Sequence, residues 1–443
     1  MKTLIIGANH AGIAAANTLL NNGSKEVIMI DANSNLSYLG CGTALWVGRQ
    51  IDGYEGLFYT KVEDFRSRGA KIEMQSMVTK IDFDKKVAYY TQDGKEKTQD
   101  YDTLVLATGS IPIMPKVPGM DLGNIHFLKR FQDGQDVDKL VSTDNIKRVA
   151  VVGGGYIGVE IAEACKRRGK EVMLFDVSNN VLSNYYDPEF GQEMDKVLVK
   201  NGIDLHTSET VKEFEGNANK LVCKITTDKG SYPVDLVINA IGFRPNNELG
   251  KDNLKLFTNG AYLVDKQQKT SLKDVYAIGD CATIYSNALN NVTYIALATN
   301  AVRTGIVAGL NILGKNIDGN GVQGSNAISI FGYNMISTGL SVGAAAKFGV
   351  KDACYVDHED LQKPAFIKHN NHPVKIRIVY EKGSRRIIGA QLASFEDMSS
   401  VIHMFSLAIQ EQVTIDKLAL TDIFFLPHFN QPYNYITMCA LKA

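Results

Sequence analysis

One local pattern occurs twice along this chain and restricts its fold more than any other feature. KTLII (2–6) is a short apolar run that ends in GANHAG (7–12). AGIAAANTLLNNG then carries the small and apolar residues of a helix packed on a sheet, stopping at Gly23. EVIMID (26–31) follows as a second apolar run, ending in Asp31, 24 residues after Gly7. Strand, glycine turn, helix, strand and acid make the fingerprint of a dinucleotide site. Glycine lets the backbone approach a pyrophosphate, the helix start offers free N–H groups and a positive dipole end, and the acid accepts hydrogen bonds from a ribose. Asn9 stands in place of the middle glycine, so this copy is imperfect in motif but complete in context.

The second copy begins 146 residues later, in RVAVVGGGYIGVEIAEACKRRGKEVMLFD. An apolar run at 148–152 meets Gly153, Gly155 and Gly158 in full G-x-G-x-x-G spacing, and the next strand ends at Asp176, 23 residues after Gly153. A carboxylate at that ribose position repels a 2′-phosphate, so the spacing favours NADH over NADPH. Lys166, Arg167 and Arg168 lie late on the helix and read as a solvated face or a contact with its dipole rather than a phosphate patch. YDTLVLATGSIPIMP (101–115) and VDLVINAIGFRPNN (234–247) each run from an apolar strand through a glycine to a proline-containing exit, which places Gly109 and Gly242 beside the two ligands. VYAIGDCAT (275–283) is a strand running into Gly279 and Asp280, then small residues able to open a helix. Asp280 reads either as a cap or as a ligand to the ribityl–phosphate part of a flavin.

At 443 residues the chain is expected to form two or three domains. A net charge of -1 argues against nucleic acid or an anionic membrane as the main partner. Six scattered cysteines with no C-x-x-C fit a reducing, intracellular setting. His369 and His372 form an H-x-x-H in a polar stretch without further ligands, and no metal site is expected. The N-terminal apolar stretch is broken by Asn9 and His10, and no run approaches the ~18 apolar residues of a membrane helix, so a cytoplasmic protein is expected.

NLSYLGCGTALW (35–46) places Cys41 between two glycines at the start of a short helical pattern. Alone, that cysteine reads first as a small core residue in a tight turn, with a reactive thiol as the alternative. The motifs together decide between them. GANHAG, ATGS, AIGDCA and GGGYIGVE resemble the FAD- and NADH-binding segments of the flavoprotein disulfide reductase superfamily, and the likeness runs over essentially the whole chain. His10, NLSYLGCG, IALATNAVRTG (295–305), GVQGSN (321–326) and LTDIFFLPHFNQPYNYI (420–436) narrow it to the single-cysteine group, which includes NADH peroxidases, coenzyme A disulfide reductases and water-forming NADH oxidases. The oxidases are the branch this chain resembles most.

The resemblance implies an α/β fold with two Rossmann-like domains and a C-terminal α+β dimerisation domain. The FAD domain would comprise 1–113 and 250–318, the NADH domain 114–249 and the dimerisation domain 319–443. FAD contacts are implied at Gly7, Asn9, His10, Ala11 and Gly12, at Asp31, Ala32 and Asn33, and at Cys41 and Val78. They continue at Thr108, Gly109 and Ser110, at Asp280, and at Ala296, Leu297, Ala298 and Thr299. Phe424 and Pro427 would approach the flavin from the C-terminal segment, buried against a partner subunit unless that segment is core of its own subunit. NADH would meet Gly153, Gly155, Tyr156, Ile157, Gly158, Asp176, Tyr185 and Gly242. The group's two-cysteine relatives carry a second cysteine where this chain has Trp46, so Cys41 is expected to cycle between thiolate and sulfenic acid. Gly40 and Gly42 would leave room for the flavin, and the Cys41 thiol pKa would be lowered by the helix start. His10 would hand a proton or hydrogen bond to oxygen species. Ala14, where the peroxidases carry a glutamate, favours an oxidase using two NADH per O2. Substrates would be NADH and O2, and the assembly a homodimer or higher homo-oligomer. Peroxidase and coenzyme A disulfide reductase activity remain alternatives, with a flavin-dependent electron-transfer reductase more distant.

Overall fold

The computed structural model describes residues 1–443. The chain begins with strand Thr3–Ile6, helix α1 (His10–Asn21) and strand Val27–Ile30. A single 3₁₀ turn, Gly40–Gly42, then leads into α2 (Thr43–Val47), and α3 (Val62–Arg66) follows. Thr3–Ile6 is fully buried and uninterruptedly apolar after its threonine, as expected for a parallel strand covered on both faces. It lies at the centre of a five-stranded parallel sheet ordered 275–277, 103–106, 3–6, 27–30, 71–73. A three-stranded antiparallel sheet (76–82, 87–92, 95–100) covers one face, with Val78, Ile81 and Tyr90 packed in the same core as Leu4 and Ile6.

The second unit repeats this plan with α4 (Phe131–Val141), α5 (Tyr156–Arg167) and α6 (Pro188–Lys200). Its parallel sheet runs 203–206, 171–175, 148–152, 236–239, 125–127, and again a three-stranded antiparallel sheet (211–216, 222–227, 231–233) covers one face. The two proline-containing exits meet: Ser110–Pro112 pairs antiparallel with Phe243–Pro245, and Thr108 donates its hydroxyl to Asn246 O at 2.6 Å. The chain then returns to the first sheet through 275–277 and packs α7 (Ala298–Ile312) on α1. Gly305 permits this approach, since a Cβ there would lie 2.4 Å from Ala11 O.

The remainder builds a five-stranded antiparallel sheet, 326–330, 333–339, 387–394, 373–381, 353–361, with α8 (Val342–Lys347), α9 (Val401–Gln410), α10 (Ile415–Ala419) and α11 (Tyr435–Ala440). Its core holds Ile376, Ile378, Leu392, Phe405 and Tyr435. No helix is long and apolar enough to cross a membrane.

Three local expectations are corrected. Gly279–Cys281 forms one 3₁₀ turn and runs on toward strand Ile284–Ser286 instead of opening a helix. Arg168 is not a solvated residue: its guanidinium donates to Val47 O at 3.0 Å, Asp138 at 3.1 Å and Ser142 at 2.9 Å, clamping α5 to α2 and α4. The segment 420–433 is not core of its own subunit, since Leu420, Phe424, Phe429 and Tyr433 are 83%, 65%, 58% and 74% exposed.

The glycine turns impose a steric test. At Gly158 a Cβ would stand 1.8 Å from Gly153 O, because the first turn of α5 sits directly on the preceding strand–turn junction. Gly158→Ala should therefore cost about 1–3 kcal/mol in thermal or denaturant unfolding. Gly56→Ala, with nothing within 4 Å, serves as the neutral control.

Candidate active site

The fingerprint acids hold the turns in place. Asp31 accepts the Ala8 N–H at 2.6 Å through Oδ2 and the Asn33 N–H at 2.7 Å through Oδ1. Asp176 repeats this with Gly154 at 2.5 Å and Ser178 at 2.6 Å. Burial pushes the Asp31 carboxyl up from its usual value, and those two backbone donors oppose the shift. The helices that leave the turns are uncapped: α1, α5 and α7 have no side-chain cap and no acid in the first turn. Uncapped N–H groups above a glycine at positive φ (Gly7 +107°, Gly153 +106°) suit a pyrophosphate. Two dinucleotides, FAD on the first turn and NADH on the second, fit these donor sets.

Asp280 Oδ2 accepts from the Ser110 hydroxyl at 2.9 Å and lies 3.4 Å from Lys129 Nζ. Lys129 also donates to Ser110 at 2.8 Å and lies over the Phe243 ring, 4.9 Å from its centroid. Its backbone is fixed from the other side, because Asp133 in the first turn of α4 accepts the Lys129 and Arg130 N–H groups at 3.0 and 2.7 Å. Sequence reasoning did not find Lys129. Its signal was the acid three residues into an apolar-periodic helix, which marks a helix start but not what that start holds.

Cys41 occupies the 3₁₀ turn and faces a cleft of about 460 Å³ shared with Ala44, Glu160, Ala327, Ser329 and Asn334. It is exposed, whereas Cys165, Cys281 and Cys439 are buried and Cys223 and Cys354 half-buried. A lowered thiol is not what the turn gives. Desolvation by the surrounding protein pushes the Cys41 thiol up, Glu160 and Asp280 add to the shift, and Lys129 opposes it. The helix is too short to dominate: α2 has five residues. Gly42 has a second close neighbour. A Cβ there would meet Leu57 Cδ2 at 2.3 Å, so its smallness serves the packing of Leu57, while Gly40 has ordinary clearance from the Tyr38 ring at 3.8 Å. The turn is braced by Tyr38 Oη and Thr43 Oγ1, 2.5 Å apart, and by Trp46 (5% exposed) stacked on Phe131.

His10 hydrogen-bonds through Nδ1 to the Tyr59 hydroxyl at 3.0 Å and stacks on that ring; it does not hydrogen-bond to Cys41. Burial lowers the His10 pKa, Asp280 opposes and Lys129 adds to the lowering, so the imidazole is neutral at pH 7. Burial pushes Tyr59 up to about 12. Tyr59 was not legible in the sequence, since nothing ties a tyrosine in a loop to a histidine 49 residues earlier. Glu160 was quoted only as part of GGGYIGVE; burial and the neighbouring Glu163 push it up to about 7.

At the second turn Tyr156, the first residue of α5, meets Tyr185 edge-on with ring centroids 4.4 Å apart. Gly109 and Gly242 lie at positive φ three residues after the parallel strands 103–106 and 236–239, whose following residues Ala107 and Ala240 meet Gly7 and Gly153. Ile157 lies in the first turn of α5. Ala32 and Asn33 follow Asp31 in the chain, and Ala296, Leu297, Ala298 and Thr299 span the uncapped start of α7. Val78 is a core residue of the covering sheet, 7% exposed. Phe424 is exposed and Pro427 half-buried on the C-terminal segment.

Comparison with known proteins agrees with this geometry. The profile of the pyridine nucleotide-disulphide oxidoreductases matches residues 1–305, and that of their dimerisation domain matches 325–434. The chain is 60% identical to an NADH oxidase of Lactococcus lactis subsp. cremoris, covering 100% of both chains. It is 55% identical to an NADH oxidase of Streptococcus pyogenes, covering 100% of this chain and 99% of that one. Among solved structures it is similar to the water-forming NADH oxidase from Lactobacillus brevis bound to NADH, with a TM-score of 0.96 and 35% identity over 100% and 98% of the two chains.

The charges around Cys41 make a signed prediction. Its thiolate is the form that alkylates, and Glu160 becomes charged as pH rises through about 7. Glu160→Gln should move the pH midpoint of Cys41 alkylation by iodoacetamide down and raise the rate above pH 7 by a factor of about 2–10. Lys129→Met should move the midpoint up.

Proposed function

This chain belongs to the pyridine nucleotide-disulphide oxidoreductase family and is an NADH oxidase within it; from that premise we propose that it reduces O2 to water, using two NADH per O2 and a Cys41 thiolate–sulfenic acid cycle. The observation that carries the reading is the Cys41 turn. It presents one exposed sulfur to a shared cleft, and the buried Trp46 stands in place of a second cysteine, so no local disulfide can form.

Bound FAD supplies the two-electron acceptor for hydride and a reduced ring able to react with O2. The uncapped start of α1, Asp31 and the Ser110–Asp280 pair would hold it. The uncapped start of α5 would take the NADH pyrophosphate, and Asp176, fixed by two backbone donors, would meet its ribose and repel a 2′-phosphate. Cys41 acts on the peroxide formed from O2. Its thiolate attacks one oxygen, the O–O bond breaks, hydroxide leaves and takes a proton to become water, and the sulfur is left as S–OH. Hydride equivalents from the second NADH return S–OH to thiolate and release the second water. His10 serves as the proton-side partner. In the tautomer where the Tyr59 phenol donates to Nδ1, the neutral ring carries its proton on Nε2, from which it would donate to an oxygen species.

The exposed apolar segment 420–433 lies within the stretch matching the dimerisation domain, and its exposure supports a homodimer in which a second copy covers it.

An oxygen electrode tests the function. Wild type should consume about two NADH per O2, with no O2 returned on adding catalase. Cys41→Ser keeps the size but cannot form a sulfenic acid, so it should still consume NADH and O2, release hydrogen peroxide and move the ratio toward one. A variant that still makes water without peroxide removes Cys41 from the mechanism.

For cofactor choice, Asp176→Ala should narrow the preference for NADH over NADPH in kcat/KM, chiefly through a lower KM for NADPH. Equal use of both cofactors by wild type would end the ribose assignment.

A further inference from the structure

The acid that ends the loop after Asp176 is spent on a different domain. Asp187 is the N-cap of α6, yet its side chain caps nothing in its own helix. Its carboxylate instead accepts the Val342 and Gly343 N–H groups at the start of α8, at 3.1 and 3.0 Å. It also accepts Gln391 Nε2 at 2.6 Å and lies 3.2 Å from Arg377 Nη1. Gln391 closes the ring by accepting the Asp187 N–H at 2.8 Å. Asp187, Gln391 and Arg377 are 2%, 1% and 3% exposed. Arg377 is held in turn by Asp357 in a two-pronged pair, 2.8 Å on each prong, and by Glu189 at 3.0 Å. A buried carboxylate held by three hydrogen-bond donors and an arginine is fixed in position.

The two residues before it are the aromatic wall of the second dinucleotide turn. Tyr185 packs on Tyr156, and the Tyr186 hydroxyl lies 3.0 Å from that of Tyr156. The Tyr156 hydroxyl also bonds Asn326 Oδ1, on the first strand of the C-terminal sheet, which the Ser337 hydroxyl reaches at 3.1 Å. We propose that Asp187 is a positioning residue for the dinucleotide: its latch to Gln391, Arg377 and α8 locks the 185–187 corner to the C-terminal sheet and so sets the Tyr156–Tyr185 pair at the start of α5. The proposal rests on Tyr156 and Tyr185 contacting NADH. It makes the third domain, which carries neither glycine turn, a part of the NADH site.

The test uses full-length holoenzyme. Asp187→Ala should raise the KM for NADH, and the calorimetric Kd for NAD+, about tenfold while kcat stays within twofold and the oligomeric state is unchanged. Asp187→Asn sets an amide against the Gln391 amide and should do the same. Asp187→Asn combined with Gln391→Glu reverses the hydrogen bond, restores the charge facing Arg377 and should recover most of the affinity. Should Asp187→Ala not fold, the comparison of the Asn single and swapped double variants decides. A fall in melting temperature with KM and Kd unchanged overturns the proposal and leaves the latch purely structural. Tyr185→Ala separates the two readings. If it leaves KM and Kd unchanged, the NADH assignment of that wall fails; if it raises them while the Asp187 variants do not, only the latch fails.

Discussion

Two backbone N–H groups accepted by two carboxylates hold the nucleotide-binding architecture together. In each Rossmann unit the acid at the end of the second strand reaches back to the glycine turn at the end of the first, Asp31 to Ala8 and Asp176 to Gly154. The second oxygen of each acid turns the chain after it, through Asn33 and Ser178. These bonds fix the turn relative to the sheet and leave the first N–H groups of α1 and α5 without partners inside the protein. An orphan donor set costs stability unless water or an anion meets it, so the arrangement suits an anionic ligand. The same carboxylates retain lone pairs for a ribose, since an ionised acid accepts more than the two bonds counted here.

The two units are joined where their geometry would otherwise drift. The paired exits at 110–112 and 243–245 form one connection, and the α2–α5 contact forms another. At Gly48 a Cβ would lie 3.1 Å from Ala164 Cα, so α2, which follows the Cys41 turn, sits against the helix that opens at the second glycine turn. Arg49 and Arg168 converge on Asp138 there, at 2.7 and 3.1 Å. Cys41 and the second glycine turn are therefore both tied to the same helix, α5. Short-range electron and proton chemistry needs that rigidity, because small misplacements are costly to rate.

What could be read from the sequence is what local physics encodes. Glycines at fixed spacing, continuous apolar strands and a terminal acid are each short-range, and both fingerprints stand in the structure as two parallel sheets of the same plan. The residues that escaped notice act across the chain: Lys129 meets Asp280 from 151 positions away, and Asp187 meets Gln391 from 204. No periodicity marks such partners. Gly42 shows the converse, a residue seen while its packing partner was not, because nothing in the sequence ties it to Leu57, which a Cβ there would meet at 2.3 Å. The C-terminal segment falls between. Its apolar content was plain, but only its exposure shows that its own subunit does not bury it.

Lys129 links the two proposed catalytic groups. Its charge lowers the pKa of His10 and of Cys41 alike. For histidine the effect favours the neutral ring, and for cysteine it favours the thiolate, so one cation biases both toward a neutral donor beside an anionic nucleophile. The acids pull the other way: Asp280 raises both groups, and Glu160 raises Cys41 further. Because Asp280 also holds Lys129 through Ser110, the cation cannot leave without freeing that acid. The site is thus a balance of one lysine against two carboxylates, in which burial is the largest factor for each group. Cys41 as a thiol at rest and a thiolate only when a further positive charge or a proton acceptor is close follows from that balance.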